Sequence, residues 1–129
     1  PSYIEKMPEL NCLEDLAQHN CLSFYRNDRP YNQWIFYRNN ELVEIPIHGD
    51  RNANDGEVVR RWGIAGHGIV YKSAIDLRDD ITQGRLVTLL GGKYQGQSTA
   101  LYAVYKERKY QPSRLSVLLA HLEKNLQQF

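Results

Sequence analysis

The chain has 129 residues, of which 42% are hydrophobic and 24% charged, which suits one folded domain and excludes a disordered composition. Its 16 basic and 15 acidic residues give a formal net charge of +1, which argues against direct binding to DNA phosphates. No apolar run reaches the roughly 20 residues that span a bilayer, and no secretory signal pattern is visible. We therefore expect a cytoplasmic domain with no membrane partner.

The first elements of the chain are a short helix and a buried strand. Asn11, followed three residues later by Glu14, predicts a capping box that opens the helix. The apolar run CLSFY at 21–25 then predicts the strand. Cys12 and Cys21 fit neither a disulfide scaffold nor a zinc pattern, so both are expected to be reduced, packed thiols.

A hairpin is predicted next. The runs WIFYR and ELVEIPI alternate apolar with polar residues and flank Asn39 and Asn40, which favour a tight turn. Pro46 places the second strand at a sheet edge, because proline cannot donate a ladder hydrogen bond.

The period then changes to helical. Val58, Val59, Trp62 and Ala65 share one helical face. Either Asn54 or Asp55 would cap the start of this helix, and a left-handed residue at position 66 would end it.

The remaining elements alternate in type. HGIVY predicts a short strand, Ser73 opens a helix that ends at Gly84, and RLVTLL and STALYAVYK predict two more strands. The last helix enters through Pro112 and carries an apolar stripe: Leu115, Leu118, Leu119, Leu122 and Leu126. Strands that alternate with helices predict an α/β layered domain with a largely parallel sheet.

The glycine-rich stretch GIAGHGIVYKS suggests a phosphate-binding loop, but the order of its helix and strand excludes one. A phosphate-binding loop needs glycines after a strand and before a helix, whereas Gly66 and Gly68 close a helix and open a strand. The four histidines have no metal-ligand spacing, and no nucleophile elbow is present. We predict no cofactor, no metal and no enzymatic activity.

A binding role remains. Ligands of open α/β sheets collect beyond the carboxyl ends of the strands, where helix starts present free N–H groups. The segment NANDG at 52–56 is such a helix start, with the turn at 66–68 expected nearby. Asp55 leaves two interpretations open, because its carboxylate would compete with an anionic ligand but also suits a helix cap.

Several motifs follow one another in a set order: D-L-x-x-H at 15–19, N-D-G-E at 54–57, G-x-G-I at 66–69, G-R-L-V at 84–87, L-Y-A-V-Y at 101–105 and a proline-entered helix from 112. The ordered set resembles the C-terminal part of the effector-binding domain of LysR-type transcriptional regulators. It covers nearly the whole chain.

The resemblance implies a periplasmic-binding-protein-like (type 2) lobe, a three-layer α/β/α fold with a mixed, mainly parallel sheet. Residues 1–104 would form the second lobe, and residues 105–129 a connector and a helix belonging to the first lobe. A winged helix-turn-helix and most of the first lobe would be missing from this chain. DNA would be bound only through that helix-turn-helix.

The implied function is sensing of a small-molecule effector held between two lobes, in a protein that forms homodimers or tetramers. The implied ligand-binding residues are Phe24, Tyr25, Asn52, Asn54, Asp55, Gly66, His67, Gly68, Val70 and Tyr102. The sequence departs from the family at IVYKS, where many members have a proline after the strand. An alternative function with the same architecture is that of a solute-binding lobe in a periplasmic transport receptor. Because the stripe of the last helix (Leu115, Leu118 and Leu122) would lack its first-lobe partner, we predict that it packs against another copy of this chain.

Overall fold

The structure is a computed structural model that describes residues 1–25, 32–96, 102, 104 and 113–126. The chain divides into two units, Pro1–Gln97 and Ser98–Phe129. The strands are β1 (Cys21–Phe24), β2 (Gln33–Arg38), β3 (Glu41–Pro46), β4 (Asn52–Ala53), β5 (Ile69–Val70) and β6 (Gln95–Gly96). The helices are α1 (Gly56–Ile64), α2 (Ala74–Thr82) and α3 (Ser113–Leu126), of which only α3 lies in the second unit.

The first unit contains a parallel sheet with the strand order β4-β1-β5. Phe24 pairs with Ala53, and Leu22 pairs with Val70. The central strand β1 is buried on both faces, as strands of a parallel sheet are, and Cys21 and Leu22 are fully buried. The predicted strand at 21–25 and the α/β class are confirmed.

The second sheet of this unit is antiparallel and has the order β3-β2-β6. Asn39 and Asn40 both have positive φ, 52° and 65°, as the two central residues of a type I′ hairpin turn require. Alternation is visible on β2, where Trp34 and Phe36 are buried. Pro46 ends β3, which is an edge strand of this sheet. The predicted hairpin is therefore confirmed.

One aromatic residue connects the two sheets. Tyr71 follows β5, and its hydroxyl donates a 2.6 Å hydrogen bond to the Ile35 carbonyl of β2. Its ring lies 5.4 Å from that of Trp34 and 4.9 Å from that of Phe36. Trp34 and Phe36 also belong to the main apolar cluster, which the short 3-10 helix Leu13–Gln18 completes.

Helix α1 forms as its sequence predicts. The Asp55 carboxylate accepts the Glu57 N–H at 2.8 Å, so Asp55 is the helix cap. Val59 and Gly63 are the residues buried on its inner face. Gly66 has φ 76°, the left-handed conformation that favours glycine after a helix end.

The predicted capping box is wrong in detail. The capping box lies one residue later than expected: Cys12 is the cap, and the Asp15 carboxylate accepts the N–H groups of Asn11 and Cys12 at 2.8 and 2.9 Å. The expected partner Glu14 instead forms a 2.7 Å ion pair with Arg38 of β2. A carboxylate that has a guanidinium in reach is drawn away from the helix start.

The strand predicted for RLVTLL does not form. The N–H groups of Arg85 and Leu86 both donate to the Asp80 carbonyl, which holds the chain against the end of α2. Leu90, Gly91 and Gly92 have φ of 58°, 58° and 69°, which a strand cannot accommodate. Apolar composition alone therefore misled the prediction.

The second unit is described at residues 102, 104 and 113–126. The predicted strand at 98–106 otherwise lies outside the described residues, and positions 102 and 104 are in neither helix nor strand. The predicted last helix is present as α3. Its Val117 and Leu118 side chains are 69% and 51% exposed. No helix among the described residues is long and apolar enough to cross a membrane.

Candidate ligand-binding edge of the parallel sheet

The three parallel strands end at the same edge of their sheet. We define the carboxyl edge as the last residue of each strand with the residues that follow it: Phe24 and Tyr25 for β1, residues 53–56 for β4, and residues 70–72 for β5. The Tyr25 N–H donates to the Ala53 carbonyl at 2.8 Å, so the ends of β1 and β4 are joined. Helix α1 begins at this edge, which is the usual position of ligands in open α/β sheets.

Six of the predicted ligand-binding residues lie at or beside this edge: Phe24, Tyr25, Asn52, Asn54, Asp55 and Val70. Both asparagines are exposed, and Phe24 and Tyr25 are half-buried. The Asp55 carboxylate is bound to the backbone of α1, which supports the cap interpretation for this residue.

The turn at 66–68 lies at the opposite edge. The His67 carbonyl accepts a 2.7 Å hydrogen bond from the Asn20 amide, and Asn20 immediately precedes β1. A Cβ atom on Gly68 would lie 2.3 Å from the Asn20 carbonyl oxygen. We call this the amino edge. Helix α1, with nine residues and so about 13 Å long, separates the two edges.

The expectation that the turn lies near the start of α1 is therefore wrong. Residues 66–68 follow the end of α1 and precede β5, so they lie where that strand starts. Tyr102 is the remaining predicted residue. It belongs to the second unit, and its side chain is 84% exposed.

Lys72 is a residue of the carboxyl edge that the sequence prediction missed. Its ammonium donates to the Gly56 carbonyl at 3.2 Å and pairs with the Asp76 carboxylate at 3.1 Å. The side chain is only 16% exposed. The sequence alone gave no local signal for this role, because the Gly56 partner of Lys72 lies sixteen residues earlier in the chain.

A shallow cavity of about 360 Å³ lies beside Lys72, between the first turns of α1 and α2. It is lined by Glu57, Arg60, Lys72, Ile75, Asp76 and Asp79. Glu57 accepts hydrogen bonds from the guanidinium groups of Arg60 and Arg61, which lower the pKa of its carboxyl group. The cavity is thus polar, and its size suits a small molecule.

The wall of this cavity is held by a buried carboxylate. Asp80 of α2 has no exposed surface and accepts hydrogen bonds from Arg60 of α1 at 2.5 and 3.0 Å and from Arg85 at 2.6 Å. The Arg60 guanidinium holds the pKa of the Asp80 carboxyl below its usual value, against the opposing effect of burial. Arg60 and Asp80 therefore connect α1 with α2.

Metal and thiol chemistry have no visible centre in the part of the chain that the structure describes. No three residues among its histidines, cysteines and acids are grouped so that they could hold a metal ion. Both cysteines are free, and burial raises the pKa of the Cys21 thiol to about 12. A thiol with so high a pKa is a poor nucleophile.

Comparison with known proteins gives a consistent result. Residues 1–127 match the family described as LysR substrate binding domain. The transcriptional activator TtdR of Escherichia coli K12 is 30% identical over 122 residues, which are 95% of this chain and 39% of TtdR. The regulator CrgA of Neisseria meningitidis serogroup B is 31% identical over 127 residues, 98% of this chain and 42% of CrgA. The chain thus spans about two fifths of these relatives.

Solved structures agree in fold. The CrgA regulatory domain of Neisseria meningitidis, a LysR-type transcriptional regulator, is 29% identical, with a TM-score of 0.71 over 96% of this chain and 60% of that one. The AphB regulatory domain of Vibrio vulnificus has a TM-score of 0.77 over 97% of this chain and 61% of that one, at 23% identity. The periplasmic receptor alternative receives no support from these matches.

Proposed function

Because this chain belongs to the LysR substrate-binding domain family, we propose that it forms the second lobe of the effector-binding domain of a transcriptional regulator. A small-molecule effector binds at the carboxyl edge, against a first lobe formed mostly by sequence outside this chain. Binding changes the affinity of the full-length protein for DNA. The lobe boundary after residue 104 is part of this proposal.

One observation carries the proposal. The carboxyl edge combines exposed amide side chains at Asn52 and Asn54, half-buried aromatic rings at Phe24 and Tyr25, and the start of α1. Amides and helix N–H groups orient polar ligands, and aromatic rings supply apolar contact area. The arrangement therefore suits recognition of a small molecule.

The remaining parts of the proposal concern the whole protein. It binds DNA through a separate winged helix-turn-helix, acts in the cytoplasm, and assembles as a dimer or tetramer. Its relatives named above are transcriptional regulators, which supports these roles at the level of the family.

The proposal is tested by screening the full-length protein for thermal stabilisation with small organic acids, amines, amino acids and neutral aromatics. A ligand that binds only the native state raises the melting temperature by mass action. We expect Asn54→Ala to weaken the response to a stabilising compound. His67→Ala, at the amino edge, is the matched control and should leave it unchanged. If both variants weaken the stabilisation equally, or if neither weakens it, the assignment of the ligand-binding site to the carboxyl edge is contradicted.

The exposed stripe of α3 supports self-association. Leu118 and Leu122 of the stripe are 51% and 41% exposed within the described part of the second unit. We propose that in the 129-residue chain the stripe packs against a second copy. Light scattering should give a dimer that the double variant Leu118→Glu, Leu122→Glu converts to a monomer. A wild-type monomer would overturn this part of the proposal.

A further inference from the structure

We propose that Lys72 makes the carboxyl edge selective for effectors that carry an oxyanion, either a carboxylate or a phosphate. The inference rests on the proposed function, because it names the ligand chemistry of the same site. It rests on the position and surroundings of one ammonium group, which lies between α1 and α2 beside the cavity.

The Lys72 side chain is largely covered. It is only 16% exposed, so moving the amine into bulk solvent would also uncover part of the aliphatic stem. Gly56 leaves room for it: a Cβ atom at that position would lie 2.7 Å from the Lys72 nitrogen. The absence of a side chain at Gly56 therefore leaves space for the amine at the carboxyl edge, and a larger residue at position 56 would occupy that space.

The electrostatic setting of this amine favours an added anion. The first turn of a helix carries a partial positive charge, so a cation held against the start of α1 is opposed by the helix itself. Among the described residues, the amine has two partners: it donates a hydrogen bond to the Gly56 carbonyl and forms an ion pair with Asp76. Asp76 is 52% exposed, and water screens its attraction for the amine.

Nearby carboxylates are already engaged with other groups. Asp55 binds the backbone of α1, and Glu57 binds Arg60 and Arg61. An incoming oxyanion would therefore have only Asp76 to displace from Lys72.

A cation is the competing occupant, since the exposed carboxylates of Asp76 and Asp79 also line the cavity. Both are open to solvent, whereas the stem of Lys72 is covered. Charge effects are stronger away from water, so the covered cation decides the selectivity. The experiment below separates the two occupants.

The test uses the full-length protein and a fixed panel of probes: sodium acetate, benzoate and succinate, inorganic phosphate, the neutral compounds acetamide, benzamide and succinamide, and the cation benzylamine. We expect at least one oxyanion to raise the melting temperature while its neutral counterpart does not. Lys72→Met keeps the length of the stem and removes the charge, and should raise the Kd of that oxyanion about tenfold or more. Lys72→Arg should retain most of the affinity.

Two further variants control for folding and position. Lys93→Met makes the same substitution at an exposed lysine and should leave the Kd unchanged. Gly56→Ala keeps the charge but displaces the amine, so it should weaken oxyanion binding by a smaller factor than Lys72→Met. Circular dichroism of each variant without ligand verifies that it is folded.

The outcomes are distinct. The inference is overturned if no oxyanion of the panel stabilises the wild type, or if Lys72→Met binds the oxyanion as tightly as wild type does. Stabilisation by benzylamine or an amide alone, weakened by Asn54→Ala, would overturn the inference and leave the proposed function standing. Comparison of phosphate with the carboxylates shows which oxyanion the site prefers.

Discussion

The two edges of the parallel sheet are built from similar residue types and held in different ways. At the amino edge, Gly49 and Gly68 press directly on backbone: added Cβ atoms would lie 2.0 Å and 2.3 Å from the carbonyl oxygens of Cys21 and Asn20. At the carboxyl edge, Gly56 faces only the end of a lysine side chain. The amino edge is thus filled by closely packed backbone, whereas the carboxyl edge is stabilised by the contacts of a charged side chain.

This difference separates shape from recognition. The amino edge contains the most conspicuous motif of the sequence, G-H-G, yet its glycines pack against Ser2, Leu22 and the Asn20 backbone, and the His67 carbonyl accepts a hydrogen bond from the Asn20 amide. The carboxyl edge has a plain sequence but presents amides, rings and an ammonium group. The glycine-rich motif thus marks a place where the backbone packs closely. A ligand instead requires the edge at which side chains can replace one hydrogen-bond partner by another.

The largest effect should come from filling the amino edge. Gly68→Ala places a methyl group against the Asn20 carbonyl and the Leu22 side chain, so the strands must shift apart. We expect a loss of about 3 kcal/mol in the free energy of unfolding, measured with urea. Gly56→Ala is the matched substitution at the carboxyl edge, where the added methyl group meets only the end of the Lys72 side chain and no backbone, and should change stability by less than about 1 kcal/mol. Equal losses would remove the distinction between the edges.

The next effect tests the charges that hold α1 to α2. Asp80→Asn removes the carboxylate shared by Arg60 and Arg85 and should lower the melting temperature at pH 7. The native pKa of Asp80 is lowered, so its contribution is present above the unfolded pKa of about 3.9 and lost as pH falls through the native value.

The difference in melting temperature between wild type and Asp80→Asn should therefore shrink below about pH 4. Asp79→Asn, an exposed neighbour on the same helix, is the control and should show a small difference at every pH. A difference for Asp80→Asn that stays constant from pH 7 to pH 3 would mean that charge is not what stabilises this contact.

A smaller loss is expected from the polar contacts of the amino edge. The Asn20 side chain donates to the Asp50 carboxylate and the His67 carbonyl and accepts from the Asp50 N–H, at 2.7, 2.7 and 2.8 Å. These bonds are exposed, so Asn20→Ala should cost about 1 kcal/mol in urea unfolding. The loss should be independent of ligand, and a ligand-dependent loss would place the amino edge within the binding site.

The smallest effect should come from the histidine that the motif makes prominent. The His67 side chain is exposed, and the hydrogen bonds of this residue use its backbone: the carbonyl accepts from Asn20 and the N–H donates to the Trp62 carbonyl. His67→Ala should change the free energy of unfolding by less than about 0.5 kcal/mol. A larger change would show that the ring has a role that the backbone contacts do not explain.

The sequence predicted those parts of the fold in which local chemistry and final structure agree. The turn at Asn39 and Asn40, the cap at Asp55 and the left-handed Gly66 each depend on neighbouring residues alone. The RLVTLL strand failed because the Asp80 carbonyl and the left-handed residues 90–92 hold that segment, and neither follows from apolar composition.

The site was predictable in part for the same reason. The start of α1 could be located because helix starts have a local signature. The position of residues 66–68 at the opposite edge depends on the direction of α1 relative to the sheet, which no single segment specifies. Lys72 was overlooked because its importance depends on Gly56, which is sixteen residues earlier in the chain.

The Tyr71 contact between the two sheets also has a spectroscopic consequence. The chain has two tryptophans. The Trp34 ring lies 5.4 Å from the ring of Tyr71, the residue that precedes Lys72. The Trp62 ring lies 6.0 Å from the Arg51 guanidinium. A displacement at the end of β5 would reach the Trp34 indole through that ring stack. In a Trp62→Phe background, the emission of Trp34 can therefore serve as an intrinsic optical reporter of events at the carboxyl edge, without an attached dye.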